Sequence, residues 1–121
     1  MNLKNTLVLG ASLNPVRYSY LAVNKLKAYG HPVVAIGKQE GNLNNIKIST
    51  GTPPFENVDT ITLYLNPANQ KPYYDYILSL HPKRIIFNPG AENDELAALA
   101  GKNGIQIQEA CTLVLLSTNQ Y

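Results

Sequence analysis

Short apolar runs alternate along the chain with segments whose apolar residues recur at helical spacing. Because these runs contain few polar positions, they predict strands of a buried sheet. The predicted strands span residues 6–10, 32–37, 60–65, 85–87 and 105–108. The helical spacing predicts helices around residues 18–29, 73–80 and 96–100. Gly30 and Gly104 follow the first and the last of these helices, where a helix commonly ends.

Two other segments have weaker patterns. Residues 38–58 contain several glycines and prolines and predict a loop, within which residues 46–48 alternate as a minor edge strand would. Residues 110–116 form an apolar run that predicts a closing helix, although the same run is compatible with a strand.

Strands that alternate with helices at this spacing predict right-handed β-α-β units and a parallel sheet. We therefore expect an α/β fold, three-layered and Rossmann-like, with a doubly wound, mostly parallel sheet of about five strands. Residues 46–48 are expected at one edge of that sheet. Ligands of such sheets bind beyond the carboxyl ends of the strands. This places candidate sites in the loops that follow Gly10, Ile36, Leu65 and Phe87.

Length and composition favour a single domain over residues 1–121. The chain has 121 residues and shows no internal repeat or linker. No apolar run approaches the roughly 18 residues of a membrane span, so we expect a cytoplasmic protein without a membrane partner. One cysteine excludes an internal disulfide, and two histidines suggest no metal-binding cluster. The metal-ligand prediction is therefore none.

Charge is distributed unevenly along the chain. Residues 1–50 have a balance of +5, whereas residues 51–121 have a balance of −3. A basic half suits an anionic ligand. The lysines and arginines are scattered rather than clustered, and no aromatic residues are interleaved with them, so nucleic acid is not an expected partner.

The loop after the first predicted strand has the character of a phosphate site. Gly10 permits a sharp turn at the end of the strand. The following helix offers unpaired N–H groups and the positive end of its dipole. Ser12 and Ser19 supply hydroxyl groups, and Arg17 supplies a charge that can bind a phosphate through two hydrogen bonds.

The same loop is compatible with an ordinary helix cap, in which Ser12 or Asn14 caps the helix and Pro15 stands early in it. It is not the dinucleotide fingerprint, because Ser12 and Pro15 occupy positions that require glycine. Gly37 and Lys38 stand where an NAD site has an acidic residue for the ribose hydroxyls. NAD is therefore disfavoured, whereas NADP and coenzyme A, which carry a ribose phosphate, remain open.

Two later loops each place an Asn-Pro pair after a predicted strand. Asn66 and Pro67 follow the third strong strand, and Asn88, Pro89 and Gly90 follow the next. The amides can hydrogen-bond a ligand, and the glycine permits close approach of the backbone. Ordinary turn and capping chemistry explains such pairs equally well.

No catalytic constellation is evident, and we predict no catalytic residue. Cys111 lies in an apolar stretch that is typical of a core cysteine. Glu92, Asp94 and Glu95 crowd the start of a helix, where acidic residues complement the helix dipole.

One motif near the start of the chain and several later residues together form a family pattern. The opening motif is Gly10-Ala11-Ser12-x-x-Pro15-x-Arg17-Tyr18-Ser19-Tyr20. Later matches are Gly30-x-Pro32-Val33, Val58-Asp59, Asn66-Pro67, Gly90 and Cys111, so the pattern covers nearly the whole chain. On these residues the chain resembles small bacterial coenzyme A-binding domain proteins with a Rossmann-like fold, which are related to the nucleotide domain of the succinyl-CoA synthetase α subunit.

The resemblance implies that residues 10–19 wrap a diphosphate. Residues 37–38 are then expected near the adenosine, with residues 66–67 on its other side and residues 88–90 near the pantetheine. The chain departs from the family pattern at two places. Gly37 and Lys38 replace an Asn-Pro pair after the second strand, and Asn88 and Pro89 replace a Gln or Leu after the fourth.

From these observations we expect a protein that binds coenzyme A or an acyl-CoA, acting as a non-catalytic binding or regulatory module. One alternative is an enzyme, either an NADP-linked oxidoreductase or an acyl-transfer fragment. The other is a scaffold without a ligand that docks on a larger partner. Many tyrosines and few charged residues also suit a homodimer.

Overall fold

Residues 3–121, the residues that the computed structural model describes, form seven strands and five α-helices. The strands are β1 (Thr6–Ala11), β2 (Val33–Gly37), β3 (Gly41–Leu43), β4 (Ile46–Ser49), β5 (Thr60–Leu63), β6 (Arg84–Phe87) and β7 (Gln106–Glu109). The helices are α1 (Tyr18–Ala28), α2 (Pro67–Gln70), α3 (Tyr74–Ser79), α4 (Asp94–Lys102) and α5 (Thr112–Ser117), and a 3₁₀ turn at Lys71–Tyr73 joins α2 to α3.

All strands belong to one sheet in the order β3-β4-β2-β1-β5-β6-β7. Every neighbouring pair is parallel except β3 and β4. The predicted α/β, Rossmann-like, mostly parallel sheet is confirmed, although it has seven strands rather than about five. The chain proceeds from β1 to β2 on one side and later adds β5 on the other. Strand order therefore reverses between β1 and β5, where such folds bind ligands.

The additional edge strand lies inside the predicted loop. β3 and β4 form a hairpin through Asn44 and Asn45, whose φ angles are 50° and 67°. Two positive φ values in a two-residue turn match the twist of a hairpin, and asparagine tolerates them better than most residues. The prediction that residues 46–48 form the sheet edge is therefore wrong, because β4 lies between β2 and β3.

Helices cover both faces of the sheet, as the three-layer prediction requires. On one face, Ile77 of α3 and Leu96 of α4 pack in the same buried cluster as Leu7 of β1. On the other face, Leu26 of α1 and Leu116 of α5 pack around β1 and β2. No helix within residues 3–121 has both the length and the apolar character needed to cross a membrane.

Several predicted element boundaries shift. β5 ends at Leu63 rather than at residue 65, and the predicted helix of residues 73–80 is divided and begins earlier. The division comes at Pro72, which has no N–H to donate to the preceding turn. The segment after β7 is a helix, which decides between the two interpretations that its sequence allowed.

A few large apolar side chains remain exposed on the surface. Val16 is 79% exposed and Tyr18 is 66% exposed, and Leu21 and Val114 are also exposed. These side chains suit the homodimer expected from the sequence, which stays a prediction.

Candidate functional site

A cleft of about 860 Å³ opens at the carboxyl ends of β1, β2 and β5. The loops that follow β1, β2, β5 and β6 border it, as the sequence predicts. Its lining comprises Gly10, Ala11, Ser12, Leu13, Val16, Arg17, Tyr18, Ser19, Ile36, Gly37, Lys38, Gln39, Tyr64, Leu65, Asn66, Asn69, Tyr73, Pro89, Gly90 and Ala91. Eleven of the fourteen predicted site residues are in this set, so the fold brings most of the candidate residues together.

Glycine is required at two positions in the floor of the cleft. Gly10 has φ +101°, and the register between β1 and β2 shifts at this residue. A side chain on Gly37 would place its Cβ 2.3 Å from the main-chain oxygen of Ala11. The ends of β1 and β2 therefore approach more closely than any other residue type permits.

Helix α1 points its first turn at the cleft without a side-chain cap. Its N-cap residue is Arg17, which has extended backbone geometry and no capping hydrogen bond from its side chain. Ser12 Oγ accepts instead from the N–H of Asn14, at 3.0 Å, and Asn14 Oδ1 accepts from the N–H of Val16, at 3.1 Å. The interpretation of Ser12 or Asn14 as the helix cap is therefore wrong. Within residues 3–121, the N–H groups of Tyr18 and Ser19 have no partner and remain available to a ligand, whereas that of Tyr20 is bonded to the main-chain oxygen of Arg17.

Charge in the cleft is of one sign. Arg17 and Lys38 are the cationic side chains of the lining, and both are exposed. The lining contains no aspartate or glutamate. Two positive side chains near the positive end of a helix dipole favour an anionic group.

The remaining titratable side chains of the lining are three tyrosines, including Tyr64. Burial raises the pKa of Tyr64 well above its usual value, so its phenol stays neutral at physiological pH. The cleft therefore presents positive charge beside the neutral phenol of Tyr64.

Three predicted site residues do not line the cleft. Pro15 lies in the exposed loop before α1, and Pro67 is the first residue of α2, a position that suits proline. Asn88 is 2% exposed, and its amide is fully occupied by protein groups. This corrects the expectation that Asn88 faces a ligand.

The contacts of Asn88 join three elements beneath the cleft. Its Nδ2 donates to Thr62 Oγ1 at 2.7 Å and to the main-chain oxygen of Leu63 at 2.9 Å. Its Oδ1 accepts from the N–H of Thr112 at 2.9 Å. Asn88 thus holds the start of α5 against β5 and the loop that contains Pro89 and Gly90.

A second buried network, centred on Gln70, was not predicted from the sequence. Gln70 Nε2 donates to the main-chain oxygens of Leu65, at 2.8 Å, and Ala91, at 2.7 Å. Asn93 Nδ2 donates in turn to Gln70 Oε1 at 2.8 Å. These bonds fix the loop after β5 to the loop after β6. The one feature of this network with a sequence signal is Asn93, which stands before the acidic first turn of α4, where an N-cap residue is expected.

The apolar part of the lining was also missed. It consists of side chains that lie in predicted loops or at strand ends, namely Leu13, Val16, Ile36, Leu65, Tyr73 and Ala91. Periodicity identifies residues that face a core, but it does not show which residues of a loop or of an element's end turn toward a cleft.

Asn66 provides a test of the helix-capping role of a residue that also borders the cleft. Its Oδ1 accepts from the N–H of Asn69 at 2.9 Å and caps α2, while its side chain also borders the cleft. We expect Asn66→Ala to lower the free energy of unfolding by about 1 kcal/mol, measured by urea denaturation. Asn66→Asp keeps an acceptor at the cap and should retain the stability. If Asn66→Asp is as unstable as Asn66→Ala, the capping role is wrong.

Comparison with known proteins gives a consistent set of relatives. The family model described as "CoA binding domain" matches residues 4–117. A crystal structure of an uncharacterized protein has 47% sequence identity and a TM-score of 0.97, with 100% of both chains covered. The search of curated proteins found no match.

More distant structures share the fold. A hypothetical protein from Pyrococcus horikoshii OT3 has 18% identity and a TM-score of 0.87, covering 96% of this chain and 83% of that one. The dinucleotide-forming acetyl-coenzyme A synthetase 1 of Ca. Korarchaeum cryptofilum, solved with phosphate and ADP, has 18% identity and a TM-score of 0.72. That match covers 89% of this chain but 26% of the synthetase.

Proposed function

The chain belongs to the CoA binding domain family, and from this premise we propose that its cleft binds coenzyme A or an acyl-CoA as a non-catalytic binding or regulatory module. The observation that carries the proposal is the cleft itself. It combines the uncapped start of α1, two cations and no carboxylate at the point where strand order reverses.

The loop after β1 suits the diphosphate of such a ligand. The positive φ of Gly10 turns the chain away from the strand, and the open N–H groups of α1 follow within the same lining. The Arg17 side chain makes no hydrogen bond within residues 3–121, so its guanidinium is available for an ionised phosphate. Together these groups supply the donors that a diphosphate requires.

The end of β2 suits the phosphorylated ribose of coenzyme A. Lys38 directly follows Gly37, at the place where an NAD site has a carboxylate for the ribose hydroxyls. A lysine there favours a ribose phosphate. This supports coenzyme A over NAD and leaves NADP as the competing ligand.

The wall formed by the loops after β5 and β6 suits the less polar part of the ligand. Leu65, Tyr73 and Ala91 supply apolar surface, and the main chain at Gly90 has open space around it. The buried contacts of Gln70 hold both loops in place, so the wall is ordered before a ligand arrives. Preorganisation of this kind lowers the free-energy cost of binding.

The chemistry of the lining supports a binding role. Among residues 3–121, those that border the cleft include no cysteine, histidine, aspartate or glutamate. Ser12 and Ser19 supply hydroxyl groups, but a serine nucleophile needs a neighbouring general base, most often a histidine or a carboxylate. Cys111 is half-buried at the start of α5 and does not line the cleft.

A thermal-shift panel tests the proposal with coenzyme A, acetyl-CoA, NAD, NADP, ADP and buffer. A ligand present at ten times its dissociation constant stabilises the folded state by about 1.4 kcal/mol, which raises Tm by several degrees in a domain of this size. We expect this shift with coenzyme A or acetyl-CoA and none with NAD.

Two other outcomes of the panel would favour the alternative functions. A shift with NADP alone would contradict the proposal and favour an oxidoreductase. No shift with any nucleotide, together with a stable complex that co-purifies from cell extract, would favour the scaffold alternative.

A further inference from the structure

Tyr121 lies against a group of basic side chains at the end of the sheet opposite the cleft. Its neighbours include Thr6, the first residue of β1, and Arg84, the first residue of β6. We call Lys4, Thr6, His31, Arg84 and Tyr121 the Tyr121 cluster. None of these residues lines the cleft, so the cluster is separate from the site described above.

The aromatic ring of Tyr121 is held from several sides. Its hydroxyl is 2.6 Å from Thr6 Oγ1, and its ring meets the His31 imidazole edge-on, with 4.8 Å between the ring centroids. The Arg84 guanidinium lies 4.5 Å from the ring centroid and the Lys4 ammonium 5.5 Å. Both cations also donate to the main-chain oxygen of Tyr121.

His31 is buried in this cluster in its neutral form. Its Nδ1 accepts a hydrogen bond from the main-chain N–H of Lys4 at 3.0 Å, so that nitrogen carries no proton. The imidazole faces the positive charges of Lys4 and Arg84. Burial first, and these two charges next, lower the pKa of His31 below its ordinary value.

The carboxylate of Asp59, near the cluster, is already engaged by other groups. The Asp59 carboxylate accepts from the hydroxyl of Thr60 at 2.7 Å and pairs with Lys83 at 3.9 Å. Arg84 is 6% exposed, and its Nη2 has no hydrogen-bond partner. Protonation of His31 would add a third positive charge beside Lys4 and Arg84 in this buried cluster, which is costly.

We propose that the Tyr121 cluster is a proton-sensitive contact, in which protonation of His31 at Nδ1 breaks the bond from Lys4 and releases the Tyr121 ring from the sheet. The release loosens residues 118–120, whose main-chain N–H groups are bonded to the end of α5. The start of α5 remains attached, because the main-chain N–H of Thr112, its first residue, donates to Asn88 Oδ1. The release is local and does not require the chain to unfold.

The direction of the pH effect follows from proton linkage. While Tyr121 is attached to the sheet, the pKa of His31 is lowered. When Tyr121 is released, the pKa of His31 returns toward the ordinary value of 6.5. The released form therefore binds more protons as pH falls below about 6.5. Binding of one proton shifts the equilibrium toward release by up to about tenfold per pH unit. Above about pH 6.5, Tyr121 stays attached to the sheet.

Amide hydrogen exchange between pH 5 and pH 8 tests the proposal, with each rate divided by the unfolded rate at the same pH. We expect protection of the Lys4 and Gln120 amides to fall below about pH 6.5 in the natural protein. His31→Asn keeps an acceptor but cannot titrate, so its profile should be flat. His81→Asn removes the other histidine, which is exposed at φ 49°, and should behave like the natural protein.

Two results would overturn the proposal: the same pH dependence in His31→Asn, or none in the natural protein. If His31→Asn does not fold, NMR titration of His31 in Tyr121→Ala replaces it. There the pKa of His31 should rise toward 6.5, and an unchanged value would contradict the proposal. Because neither readout uses a ligand, the outcome is independent of the proposed function.

Discussion

Gly37→Ala should lower the free energy of unfolding by about 2–3 kcal/mol and weaken coenzyme A binding at least tenfold. The new Cβ would lie 2.3 Å from the main-chain oxygen of Ala11 and 3.1 Å from Ile48 Cγ2. The oxygen belongs to the end of β1, so relief of the clash must move the backbone rather than a side chain. That movement displaces the loop that begins the cleft, and binding falls together with stability.

Gly101→Ala provides the matched control. Gly101 lies within α4, and a Cβ at this position meets nothing within 4 Å. We expect it to raise stability by about 0.5–1 kcal/mol, because alanine loses less backbone entropy in a helix. Urea denaturation and calorimetric titration of both variants check the pair. A Gly37→Ala protein as stable as Gly101→Ala would show that β1 and β2 do not approach as closely as described.

Arg17→Ala should weaken coenzyme A binding about 10–100-fold while leaving stability within about 0.5 kcal/mol. The side chain is exposed and lines the cleft, and it makes no hydrogen bond within residues 3–121. Its loss therefore removes a charge-assisted contact to phosphate without disturbing the fold. Arg17→Lys keeps the charge but loses the bidentate hydrogen bonding of a guanidinium. Its affinity for coenzyme A should therefore lie between that of the natural protein and that of Arg17→Ala.

Lys47→Ala is the control for charge alone. Lys47 is exposed on β4 in the same basic half of the chain, and it does not line the cleft. Calorimetric titration at two salt concentrations compares the variants. If Arg17→Ala and Lys47→Ala lose the same small amount of affinity, Arg17 acts through overall charge and its assigned contact with phosphate is wrong.

Local pattern predicted the fold class well, because a buried parallel strand and an amphipathic helix each leave a repeating signal. It failed where a short element has no repeat. β3 has only three residues, and its turn uses an Asn-Asn pair instead of the Asn-Gly that marks many hairpins. The position of the sheet edge was therefore wrong.

The candidate site was also predicted only in part from the sequence. The loop after β1 was identified because Gly10, Ser12 and Arg17 are chemically distinctive and follow a strong strand. Asn88 was assigned to the ligand on the same reasoning, yet it is buried and bonded to β5 and α5. An asparagine at a strand end serves either role, and its direction depends on the elements packed around it.

By itself, the sequence determined the α/β class, the succession of the longer helices and strands along the chain, the glycines at the cleft floor and the basic character of the first half. These properties depend on residue type and local spacing. The tertiary structure alone decided which loops share the cleft, that Asn88 and Gln70 serve as internal supports, and that His31 meets Tyr121. These pairings join residues up to 90 positions apart. They arise from sheet order and packing, which no local pattern encodes.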